Sequence, residues 1–126
     1  MKRVLIVDDD VVIRLTFKKL FDDGEFIVHQ AKNVKEAIDA LTNNLFDLLL
    51  LDLRMPPTGL NAGFQILQRK RKIPLNAGTP VLIISGMFKK DDIHGKIDLE
   101  DNIAGILEKP IENEKLEKEV QKIFGG

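Results

Sequence analysis

The stretch Phe46-Asp47-Leu48-Leu49-Leu50-Leu51-Asp52 is an almost wholly apolar run that ends on a carboxylate. Apolar residues at consecutive positions are typical of a strand buried on both faces, as in the centre of a parallel sheet. We therefore predict a strand over residues 46–51, with Asp52 at its C-terminal end. The most buried strand would deliver this carboxylate to an edge of the sheet.

Other short apolar runs, rich in β-branched residues, alternate with longer amphipathic stretches, which is the pattern of repeated βα units. The five predicted strands cover residues 4–7, 26–30, 46–51, 81–84 and 103–107. Asp10 is the expected cap of the first helix, which we expect Gly24 to end. Asn33 and Glu36 have the spacing of a cap and third helical residue before the second helix. Further helices are expected at residues 63–71, weakly near 91–99, and at 112–124, with a loop over 53–62.

The composition limits the class of protein. The chain has 126 residues, 19 basic against 20 acidic side chains and no cysteine. This length suits one domain, and the balanced charge favours neither nucleic acid nor a membrane as a partner. The run Arg69-Lys70-Arg71-Lys72 is interpreted as a helix C-terminus rather than a nucleic-acid patch. No signal-peptide pattern is present at the N-terminus, so an intracellular, cytoplasmic location is expected.

Polar residues follow four of the five predicted strands. They are Asp8 and Asp9 after the first strand, Asp52 after the third, Ser85 after the fourth and Lys109 after the fifth. Parallel strands bring their C-terminal ends to one edge of the sheet, where ligands of such folds bind. We therefore expect three carboxylates, one hydroxyl and one ammonium to converge there.

Three neighbouring carboxylates repel one another, and a divalent cation relieves that repulsion. A site with oxygen ligands and neither histidine nor cysteine suits Mg²⁺, which accepts phosphate oxygens beside one or two carboxylates. Asp52 would then attack a phosphoryl donor while Lys109 and Ser85 stabilise the phosphoryl oxygens. The predicted product is an acyl phosphate on Asp52.

The sequence resembles the response-regulator receiver family of two-component systems over residues 4–124. The motifs that carry the resemblance are Val4-Leu5-Ile6-Val7-Asp8-Asp9-Asp10, Leu51-Asp52-Leu53-Arg54-Met55-Pro56, Pro80-Val81-Leu82-Ile83-Ile84-Ser85-Gly86 and Glu108-Lys109-Pro110. The resemblance implies a flavodoxin-like, three-layer (βα)5 fold with a five-stranded parallel sheet in the order 2-1-3-4-5. It also implies one receiver domain over residues 1–126 without an output domain.

The resemblance further implies roles for the residues of the edge. Asp52 would be phosphorylated, and Asp9, Asp52 and the backbone carbonyl of Arg54 would ligate Mg²⁺. Asp8 would act mainly through a metal-bound water. This leaves Asp10 no role at the metal and keeps it as a helix cap.

The remaining implied roles concern the phosphoryl group. Ser85 would hydrogen-bond one of its oxygens, and Lys109 would pair with it. Pro110 matches the proline that in this family commonly follows the lysine in the cis form.

Three departures from the family pattern change the expectations. Ile106 stands where many members have an aromatic residue that reports phosphorylation, so an aromatic gate is excluded. The loop after Pro56 is about three residues longer than usual in the family. Arg54 and Met87 border the phosphoryl site, and their size predicts a moderately long-lived phosphoryl group.

The resulting interpretation is a signalling module that a sensor histidine kinase or a phosphotransfer protein phosphorylates. Its output would be binding to another protein, as a monomer or a phosphorylation-linked dimer, with Phe88, Lys89 and Lys90 as candidate contact residues. Two alternatives stay open: a receiver fold used for phosphorylation-independent docking, and a flavodoxin-like ligand-binding protein. A hydrolase with an aspartyl intermediate is less consistent, because Arg54 stands where a second acid is needed.

Overall fold

The computed structural model describes residues 1–53, 61–86, 93, 95 and 97–125. In chain order, the elements are β1 (Lys2–Val7), α1 (Val11–Leu20), β2 (Phe26–Ala31), α2 (Val34–Asn43), β3 (Leu48–Asp52), α3 (Ala62–Lys70), β4 (Val81–Ser85), a 3-10 helix (Leu99–Asp101), β5 (Ile103–Glu108) and α4 (Asn113–Ile123). Among these described residues, no helix combines the length and apolar character needed to cross a bilayer.

The five strands form one parallel sheet in the order β2-β1-β3-β4-β5. The predicted flavodoxin-like fold is therefore confirmed. All five residues of β3 and of β4 are buried, because helices cover both faces of the sheet centre. The strand order reverses between β1 and β3. The C-terminal ends of these two strands therefore lie on either side of a crevice.

Alternate residues of each strand point to opposite faces, so the sheet separates two apolar cores. Leu49 and Leu51 of β3 face the core beneath α2 and α3, and Leu48 and Leu50 face the core beneath α1 and α4. The unbroken leucine run is explained by this double burial. It holds Asp52 at the end of a strand that has little freedom to move.

The predicted caps of the first two helices are confirmed. The carboxylate of Asp10 accepts a hydrogen bond from the Val12 amide at 2.8 Å, and the Asn33 side chain accepts one from the Glu36 amide at 2.8 Å. Glu36 reaches back to the amide of Lys32 rather than to that of Asn33. The prediction that Gly24 ends α1 was wrong, because the helix ends at Leu20 and Gly24 supplies a positive φ in the following turn.

Several element bounds differ from the prediction by one or two residues. The third strand starts at Leu48 instead of residue 46, and includes Asp52. Residues 46 and 47 precede the strand, and their amides make other hydrogen bonds. The Asp47 amide donates to the Arg3 carbonyl, and the Phe46 amide donates to the Asn76 side chain. Of the helix expected near residues 91–99, residues 91, 92, 94 and 96 lie outside the described residues. Ile93, which is described, is buried.

Candidate functional site

The strand order brings the polar side chains that follow β1, β3, β4 and β5 to one edge of the sheet. Asp8, Asp52 and Ser85 are buried, Asp9 is exposed, and Lys109 is half-buried. Asp52 pairs with Ile84 in the β3–β4 register, so Ser85 stands one position beyond it. The structure thus assembles the five side chains that the sequence places at strand ends.

The three carboxylates form a compact group. One oxygen atom from each of Asp8, Asp9 and Asp52 lies within 4.8 Å of the corresponding oxygens of the other two. Two of these side chains are buried and the third is open to solvent, so the group is caged on one side only. Hard oxygen donors with an open side fit Mg²⁺, which retains water and accepts phosphate oxygens.

Lys109 lies between the two buried carboxylates. Its Nζ atom is 3.1 Å from Asp8 Oδ2 and 3.5 Å from Asp52 Oδ2. Burial lowers the pKa of Lys109, but the negative charges of Asp52 and Asp8 more than offset this and raise it above its ordinary value. The two carboxylates therefore favour the protonated form of Lys109, which lies beside Asp52, the acceptor predicted from the sequence.

One ammonium does not fully compensate this set of acids. Burial raises the pKa of Asp8 above its ordinary value, even though the Asp10 amide and Lys109 both stabilise its charged form. The Asp10 amide donates to Asp8 Oδ1 at 2.9 Å. Negative charge is therefore held at this edge at a cost, which a bound dication would reduce.

Sequence analysis missed two residues that shape the site. Arg14 Nη1 donates to the backbone carbonyl of Asp8 at 2.6 Å and so braces the acidic turn from the first turns of α1. A Cβ atom on Gly63 would lie 2.5 Å from the Cα atom of Leu53, closer than two such atoms can approach. This glycine therefore lets α3 approach the end of β3. A cation one turn after an acidic cluster was the available signal for Arg14.

The structure describes some of the remaining residues that the sequence analysis singled out, and others lie outside the described part of the chain. The Lys109–Pro110 peptide bond is cis, as the resemblance implied. Ile106 is buried in the core beneath α2 and α3, as an apolar residue in the place of an aromatic one. The Lys109 amide donates to the Ser85 carbonyl at 2.8 Å, which joins the ends of β4 and β5. Arg54, Met87, Phe88, Lys89 and Lys90 lie outside the described residues.

Comparison with solved structures places the fold among known receivers. Chemotaxis protein CheY4 of Vibrio cholerae superposes with a TM-score of 0.83 at 26% identity, over 98% of both chains. A CheY-like response regulator receiver domain protein from Methanospirillum hungatei gives a TM-score of 0.81 at 25% identity, over 99% of this chain and 95% of that one.

Curated relatives agree with the structural neighbours. Sporulation initiation phosphotransferase F of Bacillus subtilis is 33% identical over 85 residues, which are 68% of this chain and 66% of that protein. A gliding motility regulatory protein of Myxococcus xanthus is 33% identical over 96 residues, 76% of this chain but only 12% of that protein. The chain thus spans less than two thirds of the length of these two relatives.

A family model described as the response regulator receiver domain matches residues 4–121. This match covers the buried residues of both cores and all five residues of the site. The chain belongs to the response regulator receiver domain family.

Proposed function

We propose that this chain is a Mg²⁺-dependent phosphoacceptor of a two-component pathway and that Asp52 takes the phosphoryl group. One observation carries the proposal: Asp52 lies at the end of the central strand, grouped with Asp8 and Asp9, and 3.5 Å from the ammonium of Lys109. Among receiver-family chains this is the arrangement that a phosphoacceptor needs, with a nucleophile, a cation and a place for a dication.

The chemistry follows from these groups. A carboxylate oxygen of Asp52 forms a bond to phosphorus while the bond from phosphorus to the donor nitrogen breaks. A donor imidazole keeps that electron pair and takes up a proton. Lys109 neutralises charge on the phosphoryl oxygens, and Ser85 donates its hydroxyl to one of them. Bound Mg²⁺, held by Asp9, Asp52 and the Arg54 carbonyl with Asp8 acting through water, would supply further positive charge.

The surface beside the site supports a protein as the donor. Val11, Val12 and Leu15 of α1 expose 52%, 66% and 47% of their surfaces. Next to them, a groove of about 440 Å³ runs from α1 to Lys109 and Pro110. Apolar surface of this kind suits contact with a histidine kinase or phosphotransfer protein rather than with a small phosphodonor alone. Such an exchange would take place in the cytoplasm, where kinases find ATP.

Phosphorylation would bias the chain between two states through the ends of β4 and β5, because Ser85 and Lys109 are linked there by a backbone hydrogen bond. The output would be altered binding to a further protein, with the chain as monomer or phosphorylation-linked dimer. With Ile106 buried in place of an aromatic residue, this coupling would run through Ser85 and the backbone.

The direct test is phosphorylation by acetyl phosphate, followed by intact-protein mass spectrometry. With Mg²⁺, the wild type should gain the mass of one phosphoryl group, and with EDTA it should not. Asp52→Asn should stay unmodified, whereas Asp39→Asn, an exposed acid of α2, should be labelled like the wild type. Equal labelling of Asp52→Asn and wild type would refute the assignment of Asp52. Absence of labelling in every variant would favour the docking or ligand-binding alternatives. The decay of the labelled form tests whether the phosphoryl group is long-lived.

The donor surface has its own test. Leu15→Lys should slow transfer from a histidine-phosphorylated donor protein by about tenfold, the effect of about 1.4 kcal/mol, without changing labelling by acetyl phosphate. Leu45→Lys is the matched control, because Leu45 is similarly exposed but precedes β3 at the other edge of the sheet. Equal loss of transfer in both variants would reject α1 as the donor surface.

A further inference from the structure

A second groove lies at the N-terminal edge of the sheet, away from the phosphoacceptor site. It has a volume of about 430 Å³ and runs between the C-terminal ends of α1 and α4, over the starts of β1 and β2. None of the residues that define the phosphoacceptor site lines it. The groove is therefore a separate feature of the surface.

The floor of this groove is aromatic. The rings of Phe21 and Phe26 meet edge to face at 5.1 Å, and those of Phe26 and Phe124 are 5.6 Å apart. Phe21 is buried, whereas Phe26 and Phe124 keep part of their surface open. Aromatic faces carry partial negative charge and attract cations as well as apolar groups.

The rim of the groove is acidic. Asp23, Glu25 and Glu117 line it together with one cation, Lys2, so the four side chains carry a net charge of −2. In the part of the chain that the structure describes, none of these three acids forms an ion pair. Lys2 therefore offsets only part of the negative charge of this rim.

The backbone adds to this potential. In a parallel α/β fold the helices run opposite to the strands, so their C-termini gather at the edge where the strands begin. The C-terminal residues Leu20 of α1 and Phe124, the cap of α4, both line the groove. Each helix C-terminus carries partial negative charge, which favours a cation nearby.

Lys2 shows how a cation sits in this groove. Its Nζ atom lies 4.2 Å from the centroid of the Phe124 ring, within the distance at which a cation interacts with an aromatic face. This ammonium belongs to the chain and occupies only one part of the groove. The remaining surface combines the same aromatic floor with three acids.

We propose that the groove binds a basic segment of a partner protein, with one Lys or Arg side chain over the exposed aromatic rings and its ammonium or guanidinium group near Glu25 and Glu117. The apolar floor would accept the stem of that side chain and a neighbouring apolar residue. Charge complementarity selects this occupant, because an acidic or neutral segment gains nothing from the rim. The site goes beyond the proposed phosphoacceptor function and does not depend on it.

The probe is the peptide acetyl-Leu-Lys-Leu-Arg-Leu-Lys-amide, titrated into ¹⁵N-labelled full chain and followed by NMR. The same peptide with glutamine at all three cationic positions is the control ligand. Amide shifts should change at Phe26, Glu117 and Phe124 with the cationic peptide, and should be much smaller with the control peptide. Asp52→Asn should bind the cationic peptide as the wild type does, so failure of the phosphoacceptor assignment leaves this result intact.

Charge-matched variants separate the groove from general attraction. The double variant Glu25→Gln with Glu117→Gln should weaken binding about fivefold, as expected for two partly exposed charge pairs. Asp39→Asn with Glu114→Gln changes the net charge equally on surfaces outside the groove and should leave binding within about twofold. Lys2→Met removes the competing cation and should strengthen binding, whereas Lys35→Met, an exposed position of α2, should have less effect.

The contrary outcomes are equally specific. The proposal fails if both double variants weaken binding alike, if the shift changes map away from the groove, or if the neutral peptide binds equally well. It also fails if sedimentation shows that the chain dimerises through this face, because a second copy would then be the occupant.

Discussion

The two edges of the sheet treat buried polar groups in opposite ways. Near the N-terminal edge, Asn76 is fully buried and neutral, and it donates to the carbonyls of Leu41 and Asn44 at 2.5 and 2.6 Å. Its own oxygen accepts hydrogen bonds from the Phe46 amide and the Thr79 hydroxyl, both at 2.9 Å. At the C-terminal edge, Asp8 and Asp52 are buried carboxylates with the one ammonium of Lys109 between them.

This difference separates structural polar groups from functional ones. A neutral side chain with all its hydrogen bonds made stabilises the fold, and its removal leaves buried donors and acceptors unpaired. Carboxylates gathered around one lysine destabilise the fold until a ligand neutralises them. Burial alone therefore does not identify a site. What distinguishes the C-terminal edge is a group of carboxylates with a single lysine between the two that are buried.

The largest effect is expected for Asn76→Ala. It leaves the Phe46 amide and the carbonyls of Leu41 and Asn44 without their partner, so the free energy of unfolding should fall by about 3 kcal/mol. Urea unfolding measures this loss. Asn43→Ala, at an exposed position near the end of α2, is the control and should cost much less. A loss below about 1 kcal/mol for Asn76→Ala would contradict the conclusion that the buried Asn76 side chain stabilises the fold.

The second largest effect is expected for Arg71→Met, which should lower the free energy of unfolding by about 2 kcal/mol at neutral pH. Arg71 donates to Asp101 from Nε at 2.6 Å and from Nη2 at 2.8 Å, and the Asp101 side chain is fully buried. The variant leaves the buried Asp101 carboxylate without its charged partner. Arg69→Met, an exposed residue of the same basic run, is the control for the loss of charge.

The pH dependence of the Arg71 effect has a defined sign. Burial raises the pKa of Asp101, but hydrogen bonds from Arg71 and from the Asp98 amide outweigh it and hold the pKa below the ordinary value of 3.8. The pair therefore contributes stability above pH 3.8 and loses it as the pH falls through the folded-state pKa. The difference between wild type and Arg71→Met should shrink in acid, and a difference that grows there would contradict the pairing.

Asp8→Asn should act in the opposite direction and more weakly. Without a metal, the variant should be about 1 kcal/mol more stable than the wild type at pH 7, because it removes a buried charge. The side-chain oxygen of the introduced asparagine can still accept a hydrogen bond from the Asp10 amide, and Lys109 remains paired with Asp52. Added Mg²⁺ should raise the thermal midpoint of the wild type more than that of the variant, which keeps the direct ligands but lacks one of the three carboxylates. A destabilised Asp8→Asn would mean that the C-terminal edge is built for stability.

The strands and the residues at their ends were predictable because their signals are local. The leucine run before Asp52 and the apolar runs before Asp8, Ser85 and Lys109 fix both the strand and the position of its last side chain. The parallel order then gathers those ends without further information. Asp10 and Asn33 were equally predictable as caps, since a cap needs only its own helix.

What the sequence did not reveal depends on contacts between distant segments. Asn76 bonds to residues 30 or more positions away, and nothing in the sequence around it distinguishes it from a loop residue. The basic run was attributed to the helix dipole, yet Arg71 is tied to Asp101 and Lys70 to a backbone carbonyl. The groove at the N-terminal edge was also missed, because it joins aromatic and acidic residues from both ends of the chain.

The smallest effect is expected for Lys70→Met, although Lys70 is among the most buried large side chains described. Its ammonium donates to the Ala77 carbonyl at 3.1 Å, and burial lowers its pKa, against an opposing effect of Asp101. Methionine keeps the apolar stem and removes the cost of a buried charge, but it leaves that carbonyl unpaired. Because these effects oppose each other, the net change at pH 7 should stay within about 0.5 kcal/mol.

A pH series distinguishes this cancellation from an absence of any effect. The unfolded chain binds the Lys70 proton more tightly than the folded one, so this residue makes the wild type gain stability as the pH rises from the folded-state pKa toward 10.5. The variant should lack that gain, and urea unfolding at neutral and alkaline pH compares the two. Equal pH slopes would show that the ammonium is already hydrated in the folded state. Lys70 would then belong with the exposed cations of its run rather than with the buried groups of the N-terminal edge.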